Sequence, residues 1–568
     1  MSSSYEGGIR APTTVSAGQV PIIERLALRV TAGSPAATIN SMKITFLGHA
    51  GLYLETQHGS ILCDPWFNPA YLCSWFPFPA NDGIDPARIA NPDFLYVSHQ
   101  HHDHYDPQFL MQHVSKKARV LMPDYPLKRF RGALEGCGFR HFIDTRNNEP
   151  TEIDGLRVMI MALGSPADGP SGDSGLVVDD GRTIVFDQND SHPMNVTDAK
   201  RLGHVHGHFL QFSGAIWYPF VYNFPDDVKQ ALAKKKRIDQ QERAYRFLED
   251  VGADHVFPCA GPPCFLDDDL FGLNDFDNDP ANTFCDQTVF LETMRRKGRH
   301  NGHLMVPGTT IELDGATDTC AIAHPLPQDE IDKIFHDKRG YLERYQARTR
   351  PLVSAFHAAL PKDDVDILSS IKERFEPLLA DADTMCRNIK SRVLIDCSPK
   401  DRVVIDFVRR TVYRWNGERC RYKFFVAPAL IEDLIVRNCE DWVNELFLSC
   451  RFRAERDGPY NEYLYSFFKC LTPERMQYAE SYFASQAQDG EMCELGGYMV
   501  QRRCPHQHAD LQRFGRVENG VLTCLMHGWR FDLATGRCLT AETHKIKAEK
   551  IEGHVAAPTP EAPKAKVD

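Results

Sequence analysis

The sequence contains no apolar run near the roughly 18 consecutive residues that a bilayer-spanning helix requires, so no membrane span is expected. Its start, "MSSSYEGGIRAPTTVSAGQVP", lacks a basic segment followed by an apolar one, so no secretory leader is expected and the expected compartment is the cytoplasm. A basic excess is also missing. The 65 Lys and Arg against 77 Asp and Glu give a formal net charge of -12, which excludes the basic-domain signature of a nucleic-acid-binding protein. The 17 cysteines are scattered singly along 568 residues, a distribution that suits reduced thiols and not a disulfide scaffold. No internal repeat is visible. What is present is apolar material for a large core, 42% hydrophobic and 10% aromatic residues. At about 100–200 residues per domain, that length implies two to four domains.

Residues 1–40 are rich in Ser, Gly, Pro, Ala and Thr, and residues 556–568 in Pro, Ala and Lys; both are expected to be disordered tails. Between them, residues 41–325 alternate short strands ("KITFLGHAGLYLET", "DFLYVSHQ", "GRTIVFDQND") with helical segments such as Ala231 to Gly252, an α/β pattern. Residues 326–485 form an α+β accessory region that completes or covers the preceding domain, helix-periodic to about 400 and mixed thereafter. Short strands and turns return over residues 486–555.

Two clusters carry chemistry. Near the end, "CPHQH" and "CLMHGW" place Cys504 and His506 in one turn and Cys524 and His527 in another. Two Cys and two His could hold zinc. The C-x-H spacing is nevertheless short for a zinc finger, and each half-site gives one Cys and one His, as in a Rieske [2Fe–2S] cluster, where thiolates hold one iron and imidazoles the other. The following "HGWRFDLATGRC" also resembles the segment that closes Rieske domains. Neither loop has a second cysteine just beyond its histidine, so the resemblance is to the oxygenase or ferredoxin type, an electron donor.

The other cluster is "SHQHHDHYD", Ser98 to Asp106. After a buried strand, His99 and His101 point the same way, and the turn brings Asp103 and His104 to the same pocket. His102, between the ligands, is expected at the surface or behind them. This H-x-H-x-D-H spacing is similar to the metallo-β-lactamase fold, an αββα sandwich in which each pair serves one metal. "ILCDPWF" supplies Asp64 as a supporting aspartate. The later ligands of that fold are incomplete here. "ALGSPADGPSGDSG" has no histidine. The bridging aspartate falls on Asn189, on Asp190 with a one-residue shift, or on Asp187, and Asp190 is the candidate ligand. Ala260 and Gly261 stand where a last histidine belongs. His192 and the "GHVHGH" histidines (His204, His206, His208) are the remaining sources, with "GHVHGH" read as a surface loop. The basic run Lys234 to Arg237 and the acidic run Asp267 to Asp279 are read as a solvated helix face and a surface loop.

A hydrolytic site has no use for an electron-transfer cluster, so the pairing points to redox-active iron at the first site, one ion or two, with zinc as the alternative. Over residues from about 43 to 480, "ILCDPWF", "LYVSHQHHDHYDPQFL", "GRTIVFDQND", "KKKRIDQQERAYRFLEDVGADHVFPCAG" and "DWVNELFLSCRFRAERDGPYNEYLYSFFKCL" resemble the catalytic part of the CMP-N-acetylneuraminate hydroxylase family. That resemblance implies a monooxygenase using O2 on a small molecule, an N-acyl sugar or nucleotide sugar. It further implies an external reductase with a small ferredoxin or haem carrier. In that family the Rieske domain is N-terminal; here it is C-terminal. Two other readings stand beside it: a zinc hydrolase with a regulatory Rieske domain, and a non-enzymatic electron-transfer protein.

Overall fold

The computed structural model describes residues 41–551 except 126, 164–172, 215, 363–364, 486–489 and 542–543. The two expected tails, all of "GSPADGPSG" and the expected start of the last domain at 486 lie outside the described residues.

Alternation of buried and half-buried residues along Met42–Gly48 ("MKITFLG") and Gly51–Thr56 presses one face of each strand inward. Those strands sit in an eight-stranded sheet that ends in Thr310–Asp314 and Thr319–Ala323 at one edge and Phe142–Thr145 at the other. A six-stranded sheet, from Thr151–Ile153 to His255–Cys259, packs against it. Ile44, Leu52, Ile61 and Phe94 of the first sheet meet Ile160, Leu176, Phe209 and Phe257 of the second in a closed apolar layer. Helices cover both outer faces. Phe109 and Phe130 lie on the first sheet, and Phe247, Leu248 and Phe290 on the second. The result is the αββα metallo-β-lactamase sandwich. Asp106 starts the helix Pro107–His113 that follows the histidine loop. Its carboxylate accepts from the N–H of Phe109 (2.9 Å), Phe67 (3.0 Å) and Asn68 (2.9 Å), so one cap also ties down a neighbouring loop.

The accessory region begins with the helices Gln328–His336, Lys338–Ala359, Ile367–Asp381 and Asp383–Ile389. A five-stranded sheet then starts at Arg392, slightly before the expected change of pattern at about 400. Its core, built on Phe375, Trp442, Phe467 and Phe468, takes in Trp66, Tyr71 and Trp75 from the sandwich. The last region is two three-stranded sheets.

The helix Asp226–Val251, ended by Gly252 in the left-handed conformation (φ 66°) with its N–H on the Leu248 carbonyl, lies between the sandwich and that last region. One side gives Ala244, Phe247, Leu248 and Val251 to the core. The other side meets arginines: Arg516 reaches Asp239 (2.6 Å) and Glu242, and Arg513 reaches Asp250 (2.5 Å). This corrects the solvated-face reading of the basic run. Only Lys234 is exposed; Lys235 and Lys236 line a cavity, and Arg237 is buried against Asp275 (3.2 Å). The acidic run is also not wholly a surface loop, since Asp267 is buried on Arg451 (2.8 Å) and Asp275 on Arg237.

Candidate metal centres

The histidine loop leaves the carboxyl end of the strand Phe94–Tyr96 and is pinned by Asp64. The N–H and hydroxyl of Ser98 donate to the two Asp64 oxygens, both at 2.7 Å, and His104 Nδ1 lies 2.8 Å from the same carboxylate. In the neutral ring, a proton on Nδ1 directed at Asp64 leaves His104 Nε2 as a lone pair aimed into the site.

Three groups of donor atoms, each within 4.8 Å of one another, adjoin here: His99, His101 and Asp173; His49, Asp103 and His104; and His99, His104 and Asp190. Asp190 Oδ2 lies 3.9 Å from His99 Nε2 and 3.5 Å from His104 Nε2, which puts its carboxylate between the other two groups. The four sequence candidates His99, His101, Asp103 and His104 thus stand together with Asp190. The neighbouring alternatives are not members of these donor groups. Asn189 donates its side-chain amide to the Ser174 carbonyl (2.9 Å), and Asp187 is a buried carboxyl whose pKa burial pushes up.

Sequence reasoning missed two members of this set. His49, in the turn between the first two strands, takes a left-handed backbone (φ 53°), and its Nε2 lies 2.9 Å from Asp103 Oδ2. Its own carbonyl accepts the N–H of Ala260 (2.7 Å), the position where the last histidine was expected. The imidazole is therefore supplied to the same corner from a different strand. Asp173 opens the strand-end segment that carries no histidine, so a carboxylate stands where an imidazole was sought. His204 and His208 serve other purposes. His204 pairs with Asp254 on the surface (2.8 Å). His208, contrary to the surface-loop reading, is fully buried in a strand, with Nε2 2.9 Å from Gln188 and its ring stacked on Phe186. His102 bridges to the accessory region through Glu445 (3.1 Å).

The chemistry of the set fits metal cations. His101 Nε2, His104 Nε2 and Asp190 Oδ1 are buried without a hydrogen-bond partner, a costly arrangement unless another ligand takes them up. Burial, then His104, lowers His99 to about 4. Burial opposes charge on Asp190, but His104 and His99 hold its pKa well below the carboxylate range. Burial opposes charge on His104, but Asp190, Asp103 and Asp64 hold its pKa well above the imidazole range; a metal cation bound there would take that proton's place.

Tyr71 donates its hydroxyl to Asp103 Oδ1. It begins a run of three left-handed residues, Tyr71, Leu72 and Cys73 (φ 50°, 54° and 55°). At about 1–2 kcal/mol per residue, that turn needs outside support. Arg451, in the accessory region and held by Asp267, supplies it: its Nε and Nη2 donate to the carbonyls of Leu72 (2.9 Å) and Cys73 (3.1 Å). Charged hydrogen bonds of this kind are worth about 1.5–3 kcal/mol each, a sum of the same size as the strain.

In the second cluster, Cys504 and Cys524 are buried, and the rings of His506 and His527 stand 4.9 Å apart with both Nδ1 atoms unpartnered. Cys524 is held below the thiol range, first by a hydrogen bond from Cys504 and then, against burial, by the N–H groups of Met526 and His527. Two cysteine sulfurs, which would bind as thiolates, and two free imidazole nitrogens make up the donor set of a Rieske cluster. His506 stacks on Trp529 (4.2 Å, 14°), and its Nε2 lies 3.2 Å from Glu462, which also meets His544 (2.8 Å).

The two clusters face one cavity of about 570 Å³, lined by His101, Asp103, Asp173 and Asp190 at one end and by His506 and His527 at the other. His192, two residues beyond Asp190, lies between them, its ring 6.0 Å from that of His527.

Three family models match the chain: a "Beta-lactamase superfamily domain" at residues 43–205, an "Rv3818-like, SCP2-like domain" at 367–485 and a "Rieske [2Fe-2S] domain" at 486–550. The accessory region thus carries a named module that its sequence alone did not suggest. The "Putative Rieske 2Fe-2S iron-sulfur protein Rv3818" of Mycobacterium tuberculosis is 46% identical over 517 residues, covering 90% of this chain and 100% of the relative. The resemblance to cytidine monophosphate-N-acetylneuraminic acid hydroxylase, expected across residues 43–480, is local: the Danio rerio enzyme is 34% identical over 87 residues, 15% of this chain and 14% of that one. Among solved structures, CmlA, a diiron β-hydroxylase from Streptomyces venezuelae, covers 50% of this chain and 55% of its own at 18% identity, with a TM-score of 0.32. With near-half identity along the whole length of its mycobacterial relative, and with the cysteine and histidine turns set as a [2Fe–2S] site, the chain belongs to the Rv3818-like family of Rieske [2Fe–2S] proteins.

Proposed function

We propose that the protein is an oxygenase in which electrons from an external donor pass through the [2Fe–2S] cluster to an iron centre on the sandwich and oxidise a small molecule held between them. The observation that carries this reading is the shared cavity: the cluster histidines and the sandwich donors open onto one chamber within one chain. A hydrolase would need no such meeting.

His99, His101 and Asp173 would hold one iron, His49, Asp103 and His104 a second, and Asp190 would lie between them. Iron held there supplies activation of dioxygen. The chain's own residues do the rest. Asp64 and Tyr71 orient the ligands, the helix Glu462–Lys469 lines the chamber, and the ring of His527 stands 6.0 Å from that of His192. One cluster stores one electron while hydroxylation consumes two, so the donor must deliver twice.

The reading is tested with protein whose cluster has been reduced and then mixed with oxygen. Rapid reoxidation of the cluster together with oxygen consumption, requiring iron at the sandwich, is the expected outcome. Turnover with zinc and without reductant would overturn it in favour of a hydrolase. Retained function after Asp103→Ala, with loss after Cys524→Ala, would favour a plain electron carrier. Replacing His192 with valine is expected to slow reoxidation severalfold or more while leaving the cluster's spectrum and both metal contents unchanged, as followed by stopped-flow absorbance.

A further inference from the structure

The chamber wall carries more positive charge than its own acids account for. Lys236 and Arg243, two turns apart on one face of the helix Asp226–Val251, enter from one side, and Lys469, the last residue of the helix Glu462–Lys469, from the other. Lys236 and Lys469 make no hydrogen bond or ion pair among the described residues, and Arg243 donates only to the Met526 carbonyl (2.7 Å). The acids that share the wall are otherwise engaged. Asp239 is taken by Lys235 (2.6 Å) and Arg516 (2.6 Å), Glu462 by His506 and His544, and Asp103, Asp173 and Asp190 belong to the metal set. The positive fields of all three cations reach His527, and that of Lys469 also reaches His101, so they converge between the two redox centres. Burial followed by repulsion from Arg243 brings Lys236 down to about 8, with Asp239 only partly opposing them. Beside the cations the wall is aromatic, with Trp217, Tyr218, Tyr222, Tyr460 and Tyr465.

We infer that Lys236, Arg243 and Lys469 form the anion subsite of the substrate chamber, and that the substrate is an organic acid bearing a carboxylate or phosphate on a flat body that stacks against the aromatic wall. Arg243 is buried with only a carbonyl for a partner, and Lys236 and Lys469 are half-buried with none among the described residues; charge held out of water without a counter-ion is expensive, and a substrate anion removes that cost only when bound. The cavity's volume of about 570 Å³ suits one small molecule. The inference rests on the reading of the cavity as a substrate chamber, but its test needs no turnover.

The test uses the holoprotein with benzoate and phenyl phosphate as probes and benzamide as the uncharged counterpart. Binding is followed by calorimetry and by the shift of the reduced cluster's electron paramagnetic resonance. Saturable binding of at least one acid is expected, with benzamide about tenfold or more weaker. Lys236→Met and Lys469→Met should each weaken the acid by about ten- to a hundredfold, the loss of one charged hydrogen bond. The exposed neighbour change Lys234→Met should leave it unchanged, and an intact Rieske spectrum reports folding in every variant. Failure of both acids to bind, equal binding of benzoate and benzamide, or wild-type affinity in the Lys236 and Lys469 variants would overturn the inference. The last result would mean that the acid sits on the metal or that the cations serve only to set the cluster's potential. A protein that binds the acids selectively yet consumes no oxygen with reductant would retain the subsite and lose the oxygenase.

Discussion

The Asp190→Ala protein is expected to purify with its Rieske absorption unchanged, its sandwich iron largely gone and its reductant-driven oxygen uptake at background. Among the described residues Asp190 is the one carboxylate placed against histidines of both donor groups, so its removal opens both metal positions at once. Loss of an outer partner typically costs about 10–100-fold in metal affinity, and a shared ligand should cost more. Metal analysis by mass spectrometry alongside the visible spectrum decides the matter. Full iron content in the variant would show that Asp190 is not a ligand, and loss of both centres would show that the two sites are not independent.

Cys524→Ala should have the converse effect. The cluster loses a thiolate that three hydrogen-bond donors, Cys504 first among them, hold below the thiol range against burial, and no described residue stands ready to replace it. The variant is expected to lose its Rieske absorption and its labile sulfide, keep the sandwich iron, and lose all reductant-dependent turnover. It should also melt earlier, because ligation energy is folding energy in a small metal-built domain. A variant that lacks the cluster but still turns over with reductant would mean that electrons reach the sandwich by another route.

The legibility of these sites in the sequence follows chain geometry. His99, His101, Asp103 and His104 were visible because a strand and one turn bring contiguous residues together, and the cluster ligands because each turn is a short local motif. Asp190 was left between neighbouring positions for a physical reason. The pairing of Ile184–Asn189 with Gly207–Gln211 slips between Asp187 and Asn189, where Asn189 takes φ 45°, and this bulge advances the carboxylate by one place. His49 and Asp173 were invisible because each is alone in its segment and meets the site only through the closing of the two sheets. The sandwich itself was readable from strand alternation. The packing of the Rieske region on the helix Asp226–Val251 was not, because that contact is written in arginines and carboxylates, which in a sequence look like solvent-facing charge.

The support that Arg451 gives to the left-handed turn sets a limit on how far the protein can be trimmed. A fragment ending at Ala323 would retain every strand of both sheets and all seven sandwich donors. It would nonetheless lose the guanidinium that keeps Leu72 and Cys73 in place, and with it the fixed aim of the Tyr71 hydroxyl on Asp103. The smallest portable unit of this chemistry is therefore the sandwich together with the SCP2-like module. A laboratory recombination that exchanged that module for another would alter the metal pocket from a position nearly 400 residues along the chain from the residues it steadies.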